Sequence, residues 1–447
     1  MWLLNTYRIM MYNLYIIMFS ISPVTIQTIS VIQSGLSVAF DLWFLWLPFI
    51  LFFMFWNSWK RYVIADALLD EKMSLIQIKL PREINKSPKA MDLVIQNLFQ
   101  TGGEGDIYKK YWEGGTRPWF SLEIVSIEGE VRFYIHTRKK FVELIENQIY
   151  AQYPTVEITT GAPDYTKKFN YNPEINKIYG ARFELIKPDP YPIKTYVDFG
   201  LDSDPKEEFR IDPIASVIES IGTLGAGEQL WIQIIIRAHK KPPKKEGFWK
   251  AILNFFGGLL SQKKAKDWVK EGRDLVEQLK EVDLPKDPDE LARKTARKTK
   301  QQEKVIEAVE RSIAQQGFDC IIRGIYLADN DKFNKARQGV LQGAFQQYSS
   351  DGLNGFKPTD KTEFNFPWQD IWGKRVVKKK KDIYEDYVKR AHYLKGAYFD
   401  KPYNVDNMVL NTEELATIFH FPSSNVETPN LPRIQSKKAE PPTNLPL

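Results

Sequence analysis

Two lysine runs are the residues of this sequence best placed to do chemistry by charge. Lys378, Lys379, Lys380 and Lys381 follow Arg375, and Lys240, Lys241, Lys244 and Lys245 flank a proline pair. Clustered ammonium groups neutralise phosphate, so either run could contact nucleic acid or anionic lipid. Trp368, Trp372, Tyr384 and Tyr387 stand near the first run and offer rings on which bases could stack. The competing reading is a solvated, solubilising face with the rings packed inside. Charge alone does not decide between them.

Catalytic signatures are missing. The Gly373-Lys374 pair has Trp368 where a phosphate-binding loop needs glycine and Arg375 where it needs Ser or Thr, which excludes ATP hydrolysis by that route within these residues. None of the four histidines, His136, His239, His392 and His420, stands at metal-ligand spacing from another or from the single cysteine, Cys320. Cys320 precedes Ile321 and Ile322 in an apolar run, the setting of a buried structural thiol rather than a nucleophile. One cysteine also rules out an intrachain disulfide and suits a reducing compartment. No Ser-centred nucleophile elbow occurs. The sequence reads as non-enzymatic, with no cofactor and no metal.

The elements that must position the lysines begin with an unusually apolar stretch. Between Ile9 and Trp59 the only charged side chain is Asp41, and Lys60-Arg61 follow at once. Leu42 to Trp56 (LWFLWLPFILFFMFW) has no place in water, and the basic pair behind it marks the cytoplasmic side. Two spans, at 9–31 and 36–56, fit the length, and a single span at 40–58 preceded by an interfacial helix is the other arrangement. A cleaved signal peptide opened by Arg8 before Ile9–Ile21 is disfavoured, because a stronger apolar segment follows and no small-residue cleavage site stands out. The remainder has the composition of a globular body. The whole chain is 26% charged and 43% hydrophobic, and its net charge of +6 over 447 residues permits an anionic partner without requiring one.

From Ser74 the pattern becomes regular. SLIQIKL (74–80) alternates as a strand, and Ser87-Pro88 opens a helix to Phe99. Strands at 119–127 and 130–136 are joined by Glu128-Gly129, a tight hairpin turn. A helix at 139–150 places Phe141, Leu144, Ile145 and Ile149 on one face, and a strand follows at 155–159. The order β-α-β-β-α-β is the ferredoxin-like split unit. A second unit has a strand at 181–186 and a helix from Asp212-Pro213 to Ile221. It continues with QLWIQIIIRA (229–238), apolar enough to be buried on both faces. A charged insertion then runs over 239–301, before a helix to Gln315, a strand at 319–327 and a helix at 332–348. Helix 288–315, rich in Lys and Arg from Arg293 to Lys300, reads most simply as an exposed helix, with a coiled hairpin with 265–281 as the alternative. Within the insertion, Phe248, Ile252, Phe255 and Leu259 line one helix face that Trp249 and Phe256 widen, suited either to a membrane surface or to a neighbouring helix. Past Gly352 only short helices at 384–394 and 413–419 stand out.

The expected fold class is therefore α+β. An N-terminal transmembrane helix or helical hairpin (1–60) precedes a ferredoxin-like domain (61–165). A second such α+β domain (175–350) carries the helical insertion 239–301. An irregular, partly helical region (351–420) and a Pro-rich linker or tail (421–447) complete the chain.

Four strings are distinctive: IQIKLPREINKSPKAMDLVIQNL (76–98), PWFSLEIVSIEGEVRFYIHTRKKFVELIENQIYAQYPTVEI (118–158), GEQLWIQIIIRA (227–238) and LNTEELATIFHFPSSNVETPNLPRIQSKKAEPPTNLP (410–446). They resemble the N-terminal region of membrane-anchored type IV secretion or conjugation ATPases of the HerA/FtsK-like class, most closely those of small-genome candidate-phyla bacteria. The resemblance covers most of residues 60–447. In that class a RecA-like motor follows the Pro-rich linker. This chain stops at Leu447, about where the motor would begin, so no catalytic residue carries over. The resemblance implies a non-catalytic anchor and adaptor portion of a DNA or protein translocation machine. It would sit at the bacterial inner membrane with the body on the cytoplasmic side, as a homo-oligomeric ring. Its partners would be membrane lipid, a separate ATPase motor chain and DNA. A membrane-tethered nucleic-acid-binding module and a purely structural membrane scaffold are the competing readings.

Overall fold

The computed structural model describes residues 34, 37–38 and 41–434, without 82–83, 85, 104, 106, 170, 203–211, 241–266, 282–299, 365, 391–406 and 423–430. Helix α1 (Trp43–Asp70) leads into β1 (Met73–Pro81), α2 (Lys89–Asn97), the short α3 (Ile107–Tyr111), β2 (Phe120–Ile127), β3 (Glu130–Arg138), α4 (Val142–Gln152) and β4 (Glu157–Thr160). Next come β5 (Asn176–Leu185), α5 (Pro213–Gly222), β6 (Glu228–Ala238), α6 (Trp268–Glu281), α7 (Lys300–Ala314), β7 (Gly317–Asp329), α8 (Ala336–Gly343) and β8 (Phe356–Thr359). The last described elements are α9 (Lys374–Lys389), β9 (Met408–Asn411), α10 (Thr412–Ile418) and β10 (Arg433–Ile434). The protein is α+β, built on one large sheet.

Among the described residues ten strands join in that sheet, and every pairing is antiparallel except β10 on β1. The order β4–β1–β3–β2 in the first half is repeated as β8–β5–β7–β6 in the second. The halves meet where β2 pairs with β6, from Phe120↔Ile236 to Ile127↔Gln229. Between β2 and β3 the chain turns on Glu128 (φ 54°) and Gly129 (φ 90°), both left-handed as a two-residue hairpin requires. The equivalent connection, β6 to β7, instead holds α6 and α7, which pack through Val276, Ile306 and Val309.

Strand alternation sorts the sheet into two faces. On one, Leu122, Phe133, Ile232 and Ile322 meet Val94 of α2, Ile149 of α4, Ile218 of α5, Leu341 of α8 and Leu415 of α10. On the other, Val125, Tyr134, Trp231 and Ile325 meet Tyr165 together with Ile383 and Tyr387 of α9. Burial on both faces, expected for the strand at 229–238, holds for β6 and extends to β7 and β2.

Three expectations need correction. Helix α9 starts at Lys374, not 384, because the lysines at its start are good helix formers yet show no apolar period. Strands β8, β9 and β10 went unread, since two to four residues carry too little alternation to register. Finally, among the described residues no helix is long and apolar enough to cross a membrane, against the second span expected at 36–56 and the alternative single span at 40–58. Helix α1 is apolar only from Trp43 to Trp56, about 20 Å of helix against roughly 30 Å of hydrocarbon, before Lys60, Arg61, Asp66 and Asp70 intervene. The earlier span, 9–31, lies outside the described residues.

Candidate functional site

Among the described residues nothing covers the apolar half of α1. Phe44, Leu45, Phe49, Phe52, Met54 and Phe55 are each more than half exposed, with Phe49 at 72%. With Trp43, Trp46, Ile50 and Leu51 also exposed, the apolar surface runs all round the helix rather than along one stripe. Such a surface is stable only in an apolar surrounding. The second half is mounted on the body: Val63 and Ala65 are buried, and the Trp59 indole N–H donates to the Tyr111 carbonyl at 3.1 Å.

The lysine run at 378–381 falls on α9, where helical rotation divides it. Lys379 turns back to Asp360 (2.8 Å) and donates to the Lys361 carbonyl (2.7 Å). Lys380 is half-buried, which lowers its pKa. Lys378 and Lys381 are exposed and share a helix face with Lys374, one or two turns apart. The four rings divide likewise. Tyr387 is fully buried, while Tyr384 is partly buried, packs its ring 5.8 Å from that of Tyr171 and donates its hydroxyl to the Phe169 carbonyl at 2.5 Å. Trp368 and Trp372 are 69% and 83% exposed beside the basic face. Of the other run, Lys240 is exposed at the end of β6. Lys241, Lys244, Lys245 and the apolar residues Phe248, Trp249, Ile252, Phe255, Phe256 and Leu259 lie outside the described residues.

Beneath α9 a polar row crosses the six central strands: Gln77, Tyr134, Glu123, Gln233, Arg323 and Arg182 are successive cross-strand neighbours. Glu123, with no exposure, receives the Arg390 guanidinium at 2.6 Å (Nε to Oε1) and 3.2 Å (Nη2 to Oε2). The same guanidinium reaches Asp164 at 2.8 and 3.0 Å. Ser121, Tyr165 and Gln233 donate to the remaining lone pairs of Glu123 at 2.6, 2.7 and 2.9 Å. Arg323 donates from Nε to Gln233 at 2.6 Å, and Arg182 pairs with Asp386 of α9 at 2.7 Å.

This surrounding sets the protonation states. Burial alone would raise the Glu123 pKa, but the Arg390 charge and hydrogen bond hold it below the usual carboxylate range. Asp164 is drawn down to about 2, its hydrogen bond and ion pair with Arg390 outweighing burial. Burial, helped by the Arg390 charge, pushes His136 down to about 4, so it is neutral near pH 7. Asp386 rises to about 6, burial outweighing Arg323 and Arg182. The network centres on Glu123 and Arg390 in the middle of the sheet, where it ties α9 across the seam between the halves.

On the opposite face Glu414 has no exposure and closes a capping box with Asn411, and its two oxygens accept from the Ile193 and Asn411 N–H groups, each at 2.9 Å. Burial raises its pKa to about 8. His420 holds Asp212 at 2.8 Å and the Ala416 carbonyl at 2.9 Å. Cys320 is fully buried in the same core, which raises its thiol pKa well above the ordinary value.

Sequence reading missed the polar row. Its signal was Gln233 in the middle of QLWIQIIIRA and Arg323 in the middle of CIIRGIYL, each inside a strand apolar enough to be covered on both faces. A polar group in such a place must have a buried partner. Residues 66–433 match the model of a family described as a domain of unknown function (DUF8128). No curated protein matches the chain.

Proposed function

As this chain belongs to the DUF8128 family, whose description assigns no activity, we propose from its own residues that it is a membrane-attached, non-catalytic assembly component. The carrying observation is the apolar, uncovered half of α1 standing on a closely packed body. In this reading α1 attaches the body to the cytoplasmic face of a bacterial inner membrane, with or without a span formed by the residues before it. The two halves of the sheet, each ordered 4-1-3-2 and antiparallel, are taken as ferredoxin-like units. The resemblance of the four strings to type IV secretion and conjugation ATPases supports a place in a translocation machine. There the chain would form a ring and work with a separate motor chain. The buried polar row fits a scaffold, since Glu123 and Arg390 neutralise each other out of reach of any substrate.

Membrane fractionation of cells making the full chain tests the attachment. The protein should pellet with membranes, resist extraction by high salt and be released by detergent. Release by salt alone would sink the reading. Light scattering of the detergent-extracted protein should give a mass of several chains, and a strictly monomeric species at every concentration counts against the ring.

One observation favours a second reading, a nucleic-acid-binding module. Trp368 and Trp372 stand exposed beside Lys374, Arg375, Lys378 and Lys381, a ring-and-cation surface of the kind that holds single strands. In this case K378Q/K381Q should weaken single-stranded DNA binding and reduce the slope of log affinity against log salt by about 1.4. Absence of any salt-sensitive binding by the wild-type chain removes this reading.

A further inference from the structure

Where α1 changes from apolar to charged, a separate piece of chain has been brought alongside it. Trp56 and Trp59 are on the helix, while Tyr111 and Trp112 come from α3 and the residue after it. The Trp56 ring lies 5.4 Å from Tyr111 and 5.9 Å from Trp112, and Trp59 lies 6.2 Å from Trp112. Tyr108 stacks on Trp112 at 6.4 Å with the planes 18° apart. The cluster is mounted firmly. Gly114, at φ +65°, runs so close to α1 that a Cβ there would come within 2.4 Å of the Val63 carbonyl oxygen and 2.6 Å of the Ala67 methyl.

Despite this packing, Tyr108 and Trp112 remain 63% and 51% exposed. Lys109 and Lys110 are exposed between them, and Arg61 is exposed on α1. The charges are drawn together rather than spread out: the Lys60 pKa is lowered by burial first and then by the nearby cations Lys110 and Arg61. Residues 107–113 carry one carboxylate, Glu113. Rings that are apolar in body and polar at the tip, set among cations at the end of an apolar helix, match the headgroup layer of a bilayer. An anionic headgroup would relieve the repulsion among Lys60, Arg61 and Lys110.

We propose that Tyr108, Lys109, Lys110 and Trp112, with Lys60 and Arg61, form a collar that binds anionic phospholipid headgroups and sets the depth of α1 in the membrane. This rests on the membrane attachment proposed above and adds the lipid class and the residues that select it. The apolar half of α1 supplies affinity for any bilayer, and the collar supplies preference for a negatively charged one.

The test adds the full chain from detergent to vesicles of phosphatidylcholine alone or with a minority of phosphatidylglycerol, and measures the bound fraction after flotation. The wild-type chain should bind both and prefer the anionic vesicles. K109Q/K110Q should bind the neutral vesicles equally well and lose preference by roughly tenfold to thirtyfold, as expected for two lysines at an anionic surface. Brominated lipid should quench less emission in W112F than in the wild type. An unchanged anionic preference in K109Q/K110Q overturns the collar while leaving attachment standing. Failure of the wild type to bind either vesicle overturns attachment and the collar with it. Self-association that the same substitutions abolish, with no lipid preference, assigns the surface to a second copy and overturns the proposal.

Discussion

Arg390→Met should destabilise the folded body by about 3–5 kcal/mol, the cost of leaving a buried charge without its partner. Among the described residues the guanidinium is the only charge-bearing group in hydrogen-bond contact with the Glu123 carboxylate, and it also holds Asp164. Arg390 sits at φ +49° and Met has the same Cβ, so the backbone strain is unchanged and the loss reports the charge. The measurement is the urea midpoint, with the slope m compared to exclude a changed unfolded state. Adding Glu123→Leu to Arg390→Met should recover more than half of the loss, because the buried charge is then gone from both sides. A loss below about 1 kcal/mol for Arg390→Met would mean that water reaches Glu123 and that the row does not fix α9 to the seam.

Stability should also fall as pH rises from about 5 to 9, and Glu414 should account for most of the decline. Its folded-state pKa, raised to about 8 by burial, lies above the unfolded value near 4.3. The folded state therefore holds the proton more tightly. The resulting stabilisation is complete below the unfolded pKa and is lost as pH rises through 8, with an upper limit of roughly 4–5 kcal/mol. Asp386, raised to about 6 by burial, acts with the same sign over a lower range. Asp164, drawn down to about 2 by Arg390, acts oppositely: its contribution is present above the unfolded value near 3.9 and is lost in stronger acid. The maximum should fall between about pH 4 and 5. Urea midpoints at pH 5, 7 and 9 check the decline, and Glu414→Gln should flatten it. A midpoint at pH 9 equal to that at pH 5 would show that Glu414 is ionised in the fold.

Much of the fold was legible because it is written in local chemistry. Asp212-Pro213 caps α5 as read, with the Asp212 carboxylate accepting from the Ile214 N–H at 3.1 Å. Glu128-Gly129 forms the expected two-residue turn, and the alternation of SLIQIKL places Ile76, Ile78 and Leu80 in the core. The lysine run was legible as charge but not as a surface. One residue per 100° of helix puts Lys379 against Asp360 and leaves Lys378 and Lys381 in solvent, and that required knowing that α9 begins at Lys374.

The apolar segment before Lys60, the hairpin, the Asp212 helix cap and the order of the longer strands were determined by the sequence itself, because each depends on residues within a few positions of one another. The partners of Glu123 were decided only by tertiary structure. Its charge is matched by Arg390, 267 positions later in the chain. In one sequence a glutamate between Leu122 and Ile124 looks like the wet side of a half-exposed strand. Only when β2 pairs with β6 and α9 closes over both does that side become interior, and burial of a charge is what makes a distant arginine obligatory. The collar on α1 has the same origin. The aromatic residues at 108–112 meet α1 because Gly114 lets that loop lie against a helix that begins at Trp43.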